Sequence, residues 1–220
     1  MKPGEGVKRP PRMPAISRRM IQGGTVAASL IGLWLTMMIV GTGTVDWTIL
    51  QHFYAGDRPV LAEVARLVTR LGDGWFVTLV LIGAGLWLMR TRRFATALVL
   101  MIGVLVGRGL TEFQKIQIGR FRPSEDLHLA ETISLSYPSG HSANAMMTYL
   151  SLALLFPEIR RKRWIAAALV LAFLVGLSRV VLGVHWPSDV VGGWTYGALW
   201  TFLLVTVDQT LKRNNRTSPS

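Results

Sequence analysis

The sequence predicts an all-α integral membrane protein, a bundle of six membrane-spanning helices with an amphipathic interfacial helix between spans 1 and 2. Three observations predict it. Half of the 220 residues are hydrophobic and the mean hydropathy is positive, which is high for a water-soluble domain. The apolar residues gather in six runs separated by short charged segments. Basic clusters also alternate with acidic ones from one intervening segment to the next.

The first run, Thr25 to Val45, exceeds the roughly 7 to 15 apolar residues of a cleaved signal, so an uncleaved anchor is expected. Before it, residues 1–20 form a basic stretch containing Pro3, Pro10, Pro11 and Pro14, a composition that favours disorder. After it, Val60, Leu61, Val64, Leu67, Val68 and Leu71 recur at helical spacing, with Glu63, Arg66 and Arg70 between them. That pattern is an amphipathic helix suited to a membrane surface. The remaining runs are Trp75 to Met89, Phe94 to Leu110, Ser142 to Phe156, Trp164 to Leu177 and Val190 to Val207. Several fall short of the roughly 20 residues a lone span needs, so extension into flanking residues is expected. One domain, residues 21–208, therefore carries all six spans, and residues 209–220 form a second tail.

Orientation follows from charge. Lys2, Lys8, Arg9, Arg12, Arg18 and Arg19 precede span 1, Arg90, Arg92 and Arg93 follow span 2, Arg160 to Arg163 follow span 4, and Lys212, Arg213 and Arg216 follow span 6. With six spans all four clusters share one face, and the positive-inside rule makes it cytoplasmic. Both termini are then cytoplasmic in a plasma (inner) membrane. The net charge of +12 is accounted for by topology, and no nucleic-acid partner is expected. Cysteine is absent, which excludes disulfides, thiolate catalysis and cysteine-held metals. The sequence carries no reading of oligomeric state.

Three polar clusters interrupt the apolar half, each at the outward end of a span: Lys115 with Arg122 and Pro123, then Pro138-Ser139-Gly140-His141, then Ser178-Arg179 with His185 and Asp189. Ionisable groups at such depth are functional candidates. Together they offer three cations, two imidazoles, one carboxylate and a glycine-containing helix start, a set suited to phosphoryl transfer without a metal. Lys115, Arg122 and Arg179 can stabilise the equatorial phosphate oxygens, with the arginines offering bidentate forks. Ser139 and Gly140 add a hydroxyl and backbone N–H groups where a helix begins. His185 has a carboxylate four residues on, Asp189, able to fix its tautomer and leave the other nitrogen free to attack phosphorus. His141 is then the general acid. Chemistry alone also permits the two histidines to exchange roles. A metal held by His and Asp is disfavoured by the surrounding cations, and no cofactor is expected.

The strings KIQIGRFRP (Lys115 to Pro123), PSGH (Pro138 to His141) and SRVVLGVHWPSD (Ser178 to Asp189) resemble, in order and spacing, the three-part signature of the type 2 phosphatidic acid phosphatase (PAP2) superfamily. Leu71-Gly72-Asp73-Gly74 resembles a recurrent feature of its bacterial membrane branch. The resemblance implies a phosphohistidine on His185 assisted by Asp189, and protonation of the leaving group by His141. It also implies phosphate binding by Lys115, Arg122, Ser139, Gly140 and Arg179, with no metal. Membrane embedding points to a lipid phosphate as substrate, with membrane lipids as the other partners. Undecaprenyl pyrophosphate, phosphatidylglycerol phosphate, phosphatidic acid and lipid A phosphates all present the same terminal group. A lipid phosphotransferase would use the same site, and a transporter or scaffold is the non-enzymatic alternative.

Overall fold

The structure is a computed structural model that describes residues 18–156 and 161–217. Eight α-helices follow in order among them: α1 (Arg18–Val40), α2 (Thr44–Phe53), α3 (Pro59–Thr69), α4 (Gly74–Arg90), α5 (Phe94–Ile118), α6 (Gly140–Leu155), α7 (Arg161–Val181) and α8 (Pro187–Thr217). Short 3-10 turns cover Arg70–Gly72 and Glu125–Leu127. Most of the tail expected over residues 1–20 lies outside the described residues, as does Arg160.

Among the described residues, four segments are long and apolar enough to cross a membrane: Gln22–Val40, Phe94–Ile118, Lys162–Val181 and Pro187–Asn215. Pro59–Gly72 and Gly74–Arg90, bent by 45° at their joint, pass the same test as a pair. The fourth apolar run became α6, whose 16 residues rise about 24 Å, less than the roughly 30 Å of a hydrocarbon core. Its place explains its composition. It packs against α4, α5, α7 and α8, burying Ser142, Thr148 and Ser151 with its apolar residues, so most of it meets protein on several sides.

The first run ends earlier than expected, at Val40 instead of Val45. Gly41-Thr42-Gly43 breaks the helix, with Thr42 at φ 71° and its N–H donated to Asp46 Oδ2 at 2.8 Å. The separate helix α2 that follows has no counterpart in the apolar runs. On α3 the protein covers Ala62, Ala65 and Thr69, whereas Val60, Val64 and Leu67 remain exposed. The small residues allow close approach to α7, Leu61, Val68 and Leu71 pack against the buried clusters beside them, and Val60, Val64 and Leu67 face away from the bundle.

Glycine closes the central seam. A Cβ on Gly193 would lie 2.6 Å from Ser139 O, and one on Gly197 2.8 Å from Ala143 O. The small-xxx-small pair of α8 thus packs inside the chain against α6, holding the starts of two site-bearing helices together.

Candidate active site

The three clusters converge where α5 and α7 end and α6 and α8 begin. α5 stops at Gly119, which adopts a left-handed φ of 68° and donates its N–H to Lys115 O at 2.9 Å, a common helix C-cap. The chain then returns across the end of the bundle. Ser136 N–H donates to Arg120 O at 2.9 Å, and Ser139 N–H to Asp189 O at 3.0 Å, which pins the start of α6 onto the start of α8. Past α7, Gly183 turns the chain at φ 70°, where a Cβ would sit 2.3 Å from Leu127 O. Only glycine fits that turn, and it delivers His185 inward.

Pro187 begins α8 and Asp189 stands in its first turn. The carboxylate reaches back to accept the Trp186 N–H at 2.9 Å, half of a capping box, and this return aims it at His185. His185 and Asp189 are buried, at 1% and 0% exposure. Nδ1 of His185 lies 3.4 Å from Asp189 Oδ2 and 3.3 Å from Ser136 Oγ, which donates to the same Oδ2 at 2.5 Å. Nε2 faces Arg122 Nη1 at 3.0 Å. With Nδ1 protonated, the Nε2 lone pair points at a cation where phosphate would bind. Burial first, and then the charges of Arg122, Arg179, Lys115 and His141, hold the imidazole well below its usual pKa, so it stays neutral and nucleophilic at neutral pH.

The expected phosphate ligands are buried or nearly so. Arg122 is anchored by Nε to Ser134 O and Nη1 to Val184 O, each at 2.6 Å. Lys115 Nζ donates to Ser134 Oγ and Glu112 Oε1, both at 2.9 Å. Arg179 Nη1 donates to Thr69 Oγ1 at 2.9 Å, while its Nε is buried without a protein acceptor. Ser139 Oγ accepts from Ser142 Oγ at 3.0 Å. Gly140 stands so close to Lys115 that a Cβ would lie 3.3 Å from Nζ. His141 is not paired with His185. Its Nε2 lies 2.8 Å from Asp73 Oδ1, a carboxylate 68 positions away that supplies the acidic neighbour its own segment lacks.

Sequence reasoning also missed a layer of supports. Arg120 donates to Asp189 Oδ1 at 2.9 Å and to Ser188 Oγ at 3.0 Å. It reaches the last turn of α1 through Met37 O at 3.0 Å and Met38 O at 2.5 Å. Its guanidinium lies over the Tyr137 ring at 4.4 Å, and Tyr137 OH donates to Trp34 O of α1 at 2.6 Å. Asp46 of α2 accepts Ser188 N–H at 2.9 Å and its hydroxyl at 2.5 Å. Asp73 carried a signal in Leu71-Gly72-Asp73-Gly74, and Arg120 lies inside the first string; nothing in the sequence pointed to Ser136 or Asp46. A cavity of about 530 Å³ between α4, α6 and α7, lined by Tyr149, Leu152, Trp164 and others, includes none of the expected site residues.

A buried imidazole backed by a carboxylate, facing fixed cations at one end of an apolar helical bundle, defines a membrane phosphatase. The chain belongs to the PAP2 superfamily, whose sequence profile matches residues 93–213, and it is a phosphoric ester hydrolase of that family. It is 38% identical over 164 residues to phosphatidylglycerophosphatase B of Bacillus subtilis, covering 71% of this chain and 79% of the relative. It is 33% identical to lipid A 1-phosphatase of Rhizobium etli, covering 70% of this chain and 74% of the relative. Among solved structures, the transmembrane PAP2-type phosphatidylglycerolphosphate phosphatase of Bacillus subtilis superposes with a TM-score of 0.79 at 30% identity, covering 85% of this chain and 98% of that one.

Proposed function

We propose that this enzyme hydrolyses the terminal phosphate of a lipid monoester or pyrophosphate through a phosphohistidine on His185. The observation that carries the reading is the setting of that ring: Nδ1 toward Asp189 and Ser136, and Nε2 toward the anion-binding side. In the first step Nε2 attacks phosphorus, the bond to the lipid oxygen breaks, and His141 gives that oxygen a proton. In the second, His141 takes a proton from water, the resulting hydroxide attacks phosphorus, and the P–N bond breaks to release phosphate and neutral His185. Asp189 balances the imidazolium charge that develops when Nε2 bonds to phosphorus.

Lys115, Arg122 and Arg179 hold the phosphoryl oxygens, and the unused Nε of buried Arg179 is a donor matched to one of them. Ser139 and Gly140 contribute at the start of α6. No step requires a metal, because the groups that would stabilise the transferring charge are cationic side chains. The relatives named for phosphatidylglycerophosphate and lipid A support a lipid phosphate as substrate. Six spans, with α3 lying on the membrane surface by its exposed Val60, Val64 and Leu67, would bring the site to the outer headgroup layer, with both termini cytoplasmic.

The test is acid-labile, base-stable labelling of protein by radiolabelled lipid phosphate, quenched early and run with a chelator present. Label is expected on the wild type, to be absent from His185→Ala, and to persist in His141→Ala. Label retained by His185→Ala and lost from His141→Ala would reverse the two roles, and label restored only by added magnesium or zinc would overturn the metal-free reading.

A further inference from the structure

We propose that Asp73 is the positioning residue of the acid catalyst, so that the site contains a second histidine–carboxylate dyad, His141–Asp73, beside His185–Asp189. The inference rests on the function above. Asp73 lies in the joint between α3 and α4, and its Oδ1 meets His141 Nε2 at 2.8 Å. Its other oxygen accepts from Trp75 Nε1 at 3.2 Å.

The joint is fixed from α6. Tyr149 OH donates to Leu71 O at 2.6 Å and Asn144 Nδ2 to Gly72 O at 3.5 Å, so His141, Asn144 and Tyr149 of one helix all grip residues 71–73. Contact is tight enough that a Cβ on Gly72 would sit 3.1 Å from His141 O and 2.5 Å from Val175 Cγ1. The same segment supplies Thr69 Oγ1 to Arg179. The carboxylate is therefore placed by backbone that other contacts already hold.

The chemistry needs such a group. To act as an acid, His141 must hold two ring protons although its burial first, and then the charges of Arg179 of α7 and Lys115 of α5, work against the protonated ring. Cations disfavour the imidazolium and a carboxylate at contact distance favours it. Asp73 takes Nε2–H and leaves Nδ1–H for the departing oxygen. When the P–O bond breaks, that proton moves from Nδ1 to the lipid alkoxide, and the neutral ring accepts one back from the attacking water. Both partners keep about a quarter of their side-chain surface exposed, 26% for His141 and 29% for Asp73, unlike the buried nucleophile pair. That placement suits a group through which a lipid alcohol leaves and water enters.

The experiment compares turnover of an alkyl phosphate and of p-nitrophenyl phosphate by wild type, Asp73→Asn, His141→Ala and the double variant, in one membrane preparation each. An alkyl leaving group needs the proton and a nitrophenolate does not, so their rate ratio reads acid catalysis whatever fraction of the protein is folded. Asp73→Asn is expected to lose between about 10- and 10³-fold in kcat on the alkyl ester, with much smaller loss on the aryl ester and little change in KM. In the His141→Ala background it should add nothing. Equal losses on both esters, or a full additional loss in the double variant, would overturn the dyad. Absence of turnover by the wild type on every phosphate ester would instead overturn the function on which it rests.

Discussion

At His185 the nitrogen proposed to attack, Nε2, and the nitrogen beside Asp189, Nδ1, belong to one ring, and Ser136 tightens the arrangement. Its hydroxyl touches both Nδ1 and Asp189 Oδ2, so the histidine–carboxylate contact has a neighbour that shares its geometry. The pairing of His185 with Asp189 was legible because four residues separate them at a helix start. Ser136 and Asp46 were not legible, since each meets its partner only after distant segments fold together. The pH dependence follows from burial and from the cations facing the ring. With the pKa of His185 depressed, the group stays neutral as pH falls through the ordinary histidine range near 6.5 and protonates only below it. The acidic limb of kcat/KM, after the substrate's own ionisation is subtracted, is therefore expected below about pH 6.5. Arg122→Gln removes one of the charges that depress it, so the limb should move up. A wild-type limb at or above the free-histidine value would contradict this setting of the nucleophile.

For the helices, hydropathy located what the bilayer and the core both require and missed what only neighbours decide. The runs beginning at Trp75 and Phe94 start within one residue of α4 and α5, because Gly72-Asp73-Gly74 precedes the first and Arg92-Arg93 the second. α5 and α8 run on well past their apolar runs, carrying Lys115 and Lys212, since helix hydrogen bonding does not stop where hydrophobicity does. α2 was invisible: its turn is set by Asp46, whose second task lies on α8. The seam of Gly193 and Gly197 against α6 gives a prediction at this scale. Gly197→Val places atoms within 3 Å of Ala143 O, an overpacking expected to cost about 1 to 3 kcal/mol. Because α6 carries His141 and α8 carries Asp189, turnover should fall at least tenfold at a temperature where thermal unfolding shows the variant folded. Unchanged turnover in a folded variant would mean that the seam does not set the spacing of the two helix starts.

For the molecule as a whole, the alternating charge clusters favour the proposed orientation, with both termini cytoplasmic. In this cysteine-free chain, a cysteine at Glu125 should react in intact cells with a membrane-impermeant thiol reagent, and one at Arg92 should react only after permeabilisation. The opposite pattern would invert the topology. The family profile covers residues 93–213, and every residue of the three strings lies inside it. Yet Arg120, which holds Asp189, also donates to Met37 O and Met38 O, and Tyr137 beneath it donates to Trp34 O. These acceptors belong to α1, a helix that composition alone reads as an anchor. At its C-terminal end the carbonyls left over by the helix carry the negative end of its dipole, and they help to hold the guanidinium on the carboxylate beside its contacts with Ser188 and Tyr137. A chain begun after residue 40 would retain every signature residue and is expected to lose turnover, with Arg120 deprived of two of its acceptors; full activity in such a chain would show α1 to be dispensable. On that expectation the shortest stretch that can be recognised is shorter than the shortest stretch that can work, and the difference between them is a helix whose contribution is made through its backbone.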